Sequence, residues 1–210
     1  MPKNTFFNLP EDKREKILDS AIDEFAKYSY HKASINRIVK KSGIAKGSFY
    51  QYFEDKKDLY KYIIDISTQK KLKYLTYVMN NLNRLNFFQI VRELYLAGIK
   101  FAKDNPKLSE IANNFVRDTD SNLKDEILES GIKKSNNLFK QLLTQGIDNG
   151  DIDPNIDIDL VAYVITSLSI SISEYFIKEV KGEDEMEIMA FVDKMLYIIE
   201  NGIKNKNKGN

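Results

Sequence analysis

The sequence of 210 residues contains no cysteine and no tryptophan, and its single histidine is His31. The absence of cysteine excludes disulfide bonds, thiolate metal ligands and a cysteine nucleophile. His31 precedes the start of a predicted helix, which is typical of a loop residue. The sequence also lacks a glycine-rich loop that would cradle a phosphate and a paired metal-binding motif. We therefore expect a protein that is not an enzyme and has no cofactor or metal site.

Long apolar runs are missing as well. The longest, from Ile158 to Ile172, is interrupted by an aspartate, a threonine and several serines, and it is too short to span a bilayer. Residues 1–13 are too polar and acidic for a secretory signal. The hydrophobic fraction of 42% is ordinary for a globular protein. We therefore expect a soluble protein of the cytoplasm.

The charges are unevenly distributed along the chain. The formal net charge is only +1, yet residues 31–57 hold seven lysines and arginines against Glu54 and Asp55. A basic segment on a mildly acidic body predicts a local contact with a polyanion. The cations are Lys32, Arg37, Lys40, Lys41, Lys46, Lys56 and Lys57.

Apolar residues recur at helical spacing along the chain, and no segment predicts a pair of strands. A first helix is expected from Pro10 and Glu11, and Ser34 is a suitable N-cap for the second helix, which Gly43 ends. Further helices are predicted at residues 45–52, 57–82, 86–104, 107–116, 121–148, 158–180 and 184–203. The expected fold class is therefore all-α.

The last two predicted helices are unusually apolar. The helix at 158–180 is apolar nearly all round, so it must be covered on several sides. A chain of this size can bury one such helix, and two of them in succession suggest self-association as a homodimer. The residues expected at the dimer interface are Leu168, Ile172, Val192, Met195 and Ile199.

A helix, a tight turn with glycine and a second short helix form the spacing of a helix-turn-helix, whose second helix enters the major groove of DNA. Gly47 has no side chain and would let the backbone approach DNA closely. Ser48 and Gln51 could each read a base or a phosphate. Tyr50 and Lys57 are expected on phosphates, which receive most protein–DNA hydrogen bonds. The residues expected to contact DNA are Ser34, Lys46, Gly47, Ser48, Tyr50, Gln51, Tyr52, Lys56 and Lys57.

Residues 33–60, ASINRIVKKSGIAKGSFYQYFEDKKDLY, resemble the DNA-binding signature of TetR-family transcriptional regulators. The match runs through residues 42–48, the Tyr-x-Tyr-Phe step and the lysines that follow. The resemblance implies an all-α homodimer with an N-terminal three-helix helix-turn-helix DNA-binding domain at residues 1–56. It also implies a larger C-terminal helical ligand-binding and dimerisation domain at residues 57–205, and residues 206–210 are expected to be a frayed tail.

Two functions remain open at this stage. The first is a ligand-responsive transcriptional repressor that binds a palindromic operator and is released by a small, mainly apolar molecule. The alternative is a DNA-binding factor without a small-molecule effector, either partner-regulated or architectural. The candidate effector-binding residues are Tyr77, Tyr95, Phe115, Phe139 and Glu174. Glu174 could face a cationic ligand, lie at a rim or pair with an internal cation, and the aromatic residues could equally be core.

Overall fold

The computed structural model describes residues 1–80, 85–117, 121–175 and 185–203, and within these ranges the side chains of residues 77, 121, 122, 124, 128, 130, 173, 174 and 185 lie outside the description. The described helices are α1 (Asn4–Phe7), α2 (Glu11–Lys27), α3 (Ile35–Ser42), α4 (Lys46–Tyr52), α5 (Lys56–Met79), α6 (Phe87–Asp104), α7 (Pro106–Arg117), α8 (Ser121–Asp148), α9 (Ile158–Tyr175) and α10 (Glu185–Ile203). The all-α fold class is confirmed. None of these helices is long and apolar enough to cross a membrane.

The chain forms two compact units, of which the first contains residues 1–72 and 101–119. Its centre is built by the apolar stripe of α2, on which Ile17, Ala21 and Phe25 are at most 1% exposed. Helices α3 and α4 contribute Ile38 and Phe49, which are fully buried. This unit therefore positions the predicted helix-turn-helix.

Helix α7 belongs to the same unit and packs against α2. The side-chain amide of Asn114 donates to the carbonyl of Ala26 at 3.0 Å, near the C-terminal end of α2. Carbonyls in the last turn of a helix have no intrahelical partner, so Asn114 supplies one of the missing donors. Three apolar residues of α7 are buried: Leu108, Ile111 and Phe115.

The second unit contains residues 73–100 and 120–210. Its described core joins α6, α8, α9 and α10 through residues such as Val91, Leu143, Ile165 and Val192, all at most 2% exposed. Helix α8 ends as the Asn149-Gly150 pair predicts, and Gly150 has a φ of 77°. The predicted helix at 158–180 is described as far as Tyr175, and the break at Gly182 lies outside the described residues.

The two compact units do not coincide with the two functional domains expected from the sequence. A compact unit is defined by packing, whereas the boundary at residue 56 was drawn from the end of a DNA-binding motif. Helices α5 and α6 each contain residues of both units. The functional boundary therefore stays a prediction.

Candidate nucleic-acid interface

The helix-turn-helix consists of α3, a turn at residues 43–45 and α4. Gly43 takes the left-handed conformation, with φ 73° and ψ 27°, and its N–H donates to the carbonyl of Val39. The N–H of Ile44 donates to the same carbonyl at 3.1 Å. Glycine enters this backbone region with little strain because it has no Cβ. The predicted break at Gly43 is confirmed, and α4 begins at Lys46.

Helix α4 has a buried side and an exposed side. Phe49 is fully buried, as is Phe53 directly after the helix, and their ring centroids lie 5.5 Å apart. These two rings hold α4 on the rest of the unit. On the opposite side, the residues Lys46, Gly47, Tyr50 and Gln51 are exposed and Ser48 is half-buried. Positions i, i+1, i+4 and i+5 share one side of a helix, so residues 46, 47, 50 and 51 form one continuous edge, and Ser48 borders it. We call the edge formed by residues 46, 47, 48, 50 and 51 the recognition edge.

Two of the residues expected to contact DNA, Tyr52 and Ser34, do not lie on the recognition edge. Tyr52 is only 7% exposed, and its ring lies 6.2 Å from that of Phe6 between centroids, so it is part of the core. Ser34 begins α3 as expected, but its side chain makes no capping hydrogen bond. Its backbone N–H donates instead to Oε1 of Glu24 at 2.8 Å. A carboxylate from α2 therefore holds the backbone of the residue that precedes α3.

Glu24 is the electrostatic centre of the contact between α2 and α3. It is 8% exposed and accepts hydrogen bonds from the Ser34 N–H and from Nε of Arg37, the latter at 2.8 Å. The Arg37 guanidinium also lies 4.3 Å from the centroid of the Tyr28 ring and donates to the carbonyl of Lys32. The hydrogen bond to Glu24 raises the pKa of Arg37 above its ordinary value. Arg37 therefore stabilises the entry to α3.

Sequence reasoning did not single out Glu24, although the chain contains a signal. Glu24 lies three residues after Ala21 and next to Phe25, on the buried stripe of α2. A carboxylate on an apolar stripe must be paired, because an unpaired buried charge is costly. Three residues after the predicted N-cap Ser34, Arg37 is available to pair with it.

Lys56 is held by the loop that precedes α3. Its ammonium donates to the carbonyls of Tyr30 at 2.7 Å, Ala33 at 3.1 Å and His31 at 3.4 Å. Burial lowers the pKa of Lys56 below its ordinary value. An ammonium has three donors, so a phosphate contact would require Lys56 to give up one of these carbonyls. In the DNA-free chain Lys56 therefore fixes the loop, and the neighbouring Lys57 is half-buried.

Asp23 holds two further cations. The ammonium groups of Lys41, from α3, and Lys107, from α7, both pair with its carboxylate. The hydrogen bonds from Lys107 and Lys41 keep the pKa of Asp23 below its ordinary value. Since Lys41 lies within the basic segment, part of that segment's charge is already neutralised within the first unit, which we call the head.

The described residues among those expected to bind an effector are divided between the two compact units. Tyr95 and Phe139 lie in the second unit, where Phe139 is 6% exposed and part of the core. The Tyr95 hydroxyl donates to Oγ of Ser169 at 2.7 Å, and burial raises the pKa of Tyr95. Phe115 is 8% exposed on α7, in the first unit. The side chains of Tyr77 and Glu174 lie outside the described residues.

The residues expected at the dimer interface stay a prediction, and the single chain already covers most of them. Val192, Met195 and Ile199 are 2%, 4% and 8% exposed within a single chain, and Leu168 and Ile172 are partly buried against the same core. A side chain that its own chain already covers offers no surface to a partner. The large apolar side chains that α9 and α10 leave exposed are Leu160, Tyr163, Val164, Tyr175, Met186, Tyr197 and Ile198. We call this set the outer apolar face.

A left-handed glycine turn joins two short helices, and buried aromatic rings hold the recognition edge in an exposed position. This arrangement is that of a helix-turn-helix DNA-binding protein. Residues 17–63 match the family described as bacterial regulatory proteins of the tetR family. Residues 85–204 match the tetracyclin repressor-like C-terminal domain. The chain belongs to the TetR family of transcriptional regulators and is not an enzyme.

Known proteins resemble the chain over nearly its full length. A solved structure of a TetR-family transcriptional regulator from Chloroflexus aurantiacus is 32% identical, covers 98% of this chain and 100% of its own, and has a TM-score of 0.67. The fatty acid metabolism regulator protein of Bacillus subtilis is 23% identical over 192 residues, 91% of this chain and 95% of its own length. A solved structure of FadR from Bacillus subtilis, in complex with stearoyl-CoA, has a TM-score of 0.69 at 20% identity and covers 90% of this chain and 98% of its own.

Proposed function

We propose that this regulator is a homodimeric, ligand-responsive repressor that binds a palindromic operator and releases it when a small, mainly apolar molecule binds. The recognition edge carries this proposal. It presents a cation, a glycine and three hydrogen-bonding side chains on one side of a short helix, while Phe49 and Phe53 fix the other side. A protein with this task acts where the DNA is, in the cytoplasm.

The residues of the edge have separate tasks in this proposal. Gly47 lets the start of α4 approach the DNA backbone, where helix N–H groups bind phosphate. Ser48 and Gln51 make the contacts that depend on base sequence. Tyr50, which is 44% exposed, and Lys57 bind phosphates and set the register of the head on the duplex.

The DNA-binding proposal is tested by selecting duplexes from a random pool with the purified protein. The selected sequence should be a palindrome whose half-site centres lie roughly 34 Å apart, one helical turn. Gln51→Ala should change the preferred bases within a half-site, whereas Lys57→Gln should weaken selected and random duplexes alike. If the wild-type protein enriches no sequence over random duplex, the proposal is wrong.

The dimer is proposed to form through the outer apolar face. On α9, residues 160, 163, 164 and 175 recur at helical spacing, and on α10 residues 186 and 197 do the same. Seven large apolar side chains between 42% and 79% exposed, on two successive helices, are more than scattered surface residues require. A symmetric pairing of this face with its copy would bury them.

Ile198→Asp tests this interface without disturbing the core, because Ile198 is 70% exposed in the single chain. The change should convert the dimer to monomer, since an unpaired charge buried at an interface costs on the order of several kcal/mol. Thr144→Asp, at an exposed position of α8, is the matched control and should leave the dimer intact. Light scattering gives the mass of each variant. A wild-type monomer at micromolar concentration, or a dimer that tolerates Ile198→Asp, would contradict the proposed interface.

The effector is proposed to bind within the larger helical domain. The described core there consists of aromatic and aliphatic side chains, with Tyr95 and Ser169 as a polar pair. A relative is named a fatty acid metabolism regulator, and one structural neighbour is a complex with stearoyl-CoA, which supports a fatty acyl compound as the class to test first. The effector must bind the DNA-free form better than the DNA-bound form. A tenfold preference is worth about 1.4 kcal/mol, and the coupling is reciprocal.

Operator release in the presence of stearoyl-CoA, coenzyme A alone, a lipophilic cation and a neutral aromatic compound tests the class of effector. Stearoyl-CoA should release the operator and coenzyme A alone should not. Release by the cation, lost in Glu174→Gln while DNA binding is kept, would assign the effector to the cationic class. Release by none of the four would favour a DNA-binding factor without a small-molecule effector.

A further inference from the structure

The N-terminal segment, residues 3–7, holds the C-terminal end of α4. The last four carbonyls of a helix have no partner within the helix, and in α4 these are the carbonyls of residues 49–52. The carbonyl of Phe49 accepts the N–H of Phe53 at 2.9 Å. The other three are all satisfied from outside the helix, by Lys3 and Thr5.

Each of these three contacts uses a different donor. The Lys3 ammonium donates to the carbonyl of Tyr50 at 2.8 Å. The Thr5 hydroxyl donates to the carbonyl of Gln51. The backbone N–H of Lys3 donates to the carbonyl of Tyr52 at 2.8 Å. The ammonium of Lys3 also lies at the negative end of the helix dipole, where a cation is favourable.

The segment is itself anchored to its surroundings. Phe6 is 1% exposed, and its ring centroid lies 4.9 Å from that of Phe53 and 5.9 Å from that of Tyr62. Nη1 of Arg14 donates to the carbonyl of Phe7 at 3.1 Å, which fixes the end of α1 to α2. Lys3 and Thr5 are therefore presented to α4 by a segment with its own core residue.

We infer that Lys3 and Thr5 are positioning residues for DNA recognition, which act by clamping the end of α4 and not by touching DNA. The inference rests on the proposed function. The carbonyls that they hold belong to Tyr50 and Gln51, whose side chains lie on the recognition edge. The turn at Gly43 fixes the other end of α4, so the helix is restrained at both ends. The match to the family's DNA-binding domain begins only at residue 17, and it does not include this segment.

Two variants with matched controls test the clamp, with any purification tag at the C terminus. Thr5→Val removes the hydroxyl and keeps the shape of the side chain, whereas Thr5→Ser keeps a hydroxyl that can donate. Lys3→Met removes the ammonium, and Lys3→Arg keeps a cationic donor. Without DNA, hydrogen exchange of the α4 amides should accelerate in Thr5→Val and Lys3→Met and remain near wild type in the two controls, because local opening becomes easier when a cap is lost. Unchanged exchange in both would overturn the clamp.

DNA binding separates positioning from direct contact. The probes are a duplex that the wild-type protein selects from a random pool and a random duplex of equal length. With both heads of a dimer affected, Lys3→Met should lower affinity for the selected duplex on the order of tenfold, since each head loses one ordering hydrogen bond. It should leave the random duplex and the salt dependence unchanged. If Lys3 bound a phosphate instead, both duplexes would weaken and the slope of log affinity against log salt would fall by about 0.9 per head, which would overturn the inference. If the wild-type protein selects no duplex, the proposed function fails while the exchange result stands by itself.

Discussion

Gly47→Ala should make the protein more stable and a poorer DNA binder. Gly47 is the second residue of α4 and is exposed, and a Cβ added there would meet nothing within 4 Å. The folded chain therefore accepts alanine without a clash. Alanine favours a helix by up to about 1 kcal/mol over glycine in a helix interior, and we expect about 0.5 kcal/mol so near the start of the helix.

On DNA the same methyl group should be unfavourable. If the backbone at Gly47 lies against the duplex, an added Cβ moves the head outward and lengthens at least one charge-assisted hydrogen bond per head. Such a bond contributes about 1.5 to 3 kcal/mol, which corresponds to a roughly ten- to hundredfold loss in affinity for each head.

The control is Gly131→Ala, at an exposed site of α8 where an added Cβ also meets nothing within 4 Å. It should stabilise the chain without affecting DNA binding. Chemical denaturation followed by circular dichroism measures stability, and fluorescence anisotropy with the selected duplex measures affinity at fixed salt. If Gly47→Ala binds that duplex as tightly as Gly131→Ala does, the start of α4 does not approach DNA closely and the reasoning fails.

Two further changes test the packing and electrostatics of the units. Gly146→Ala should destabilise the chain by about 1 to 3 kcal/mol, because the new Cβ would lie 2.7 Å from Cγ1 of the fully buried Ile152, and a thermal melt that matches wild type would contradict this close packing. Asp23→Asn should be less stable than wild type at neutral pH. Because the pKa of Asp23 is lowered in the folded chain, its ion pairs stabilise the chain above the ordinary pKa of 3.8 and are lost as pH falls below it. The difference between the two proteins should therefore shrink in acid, and a difference independent of pH would exclude the ion pairs as its cause.

The helices could largely be predicted from the sequence because their ends carry specific residues. Helix α8 spans Ser121–Asp148, as the apolar spacing and the Asn149-Gly150 pair predict. The helix-turn-helix was recognisable because Gly43 combines a helix stop with a fixed distance to the next start. Helix α1 was not predicted, since four residues are too few to show a helical period.

Side-chain partners were harder to predict. Ser34 is a good N-cap by residue type, yet its side chain makes no capping hydrogen bond, and its backbone N–H donates to Glu24, ten residues earlier in the chain. The sequence suggests that Lys56 is available to DNA, yet it binds three carbonyls of the loop before α3, the farthest of them 26 residues earlier in the chain. Both contacts join residues that only the packing of α2, α3 and α5 brings together.

The sequence also did not predict which apolar residues of α10 are exposed. Apolar residues of α10 extend beyond a single stripe, so their spacing alone did not show which of them the chain itself buries. Val192 and Ile198 are similar residues in the sequence, but one is 2% exposed and the other 70%. The expectation of a partner for these helices stays a proposal, now made for a different set of residues.

The charge of the head shows why counting cations overestimates the contact with DNA. If each of the seven cations of residues 31–57 bound a phosphate in both heads of a dimer, counterions would be released from the DNA. The slope of log affinity against log salt would then have a magnitude of about 13. Arg37 pairs with Glu24, Lys41 pairs with Asp23 and Lys56 binds three carbonyls, so these three stabilise the head itself. Even if all the other cations of the segment bound phosphates, their contribution would be limited to a slope of about 7 for the proposed dimer. The weaker electrostatic attraction leaves a larger share of the affinity to the shape of the recognition edge, and that shape depends on how firmly both ends of α4 are held.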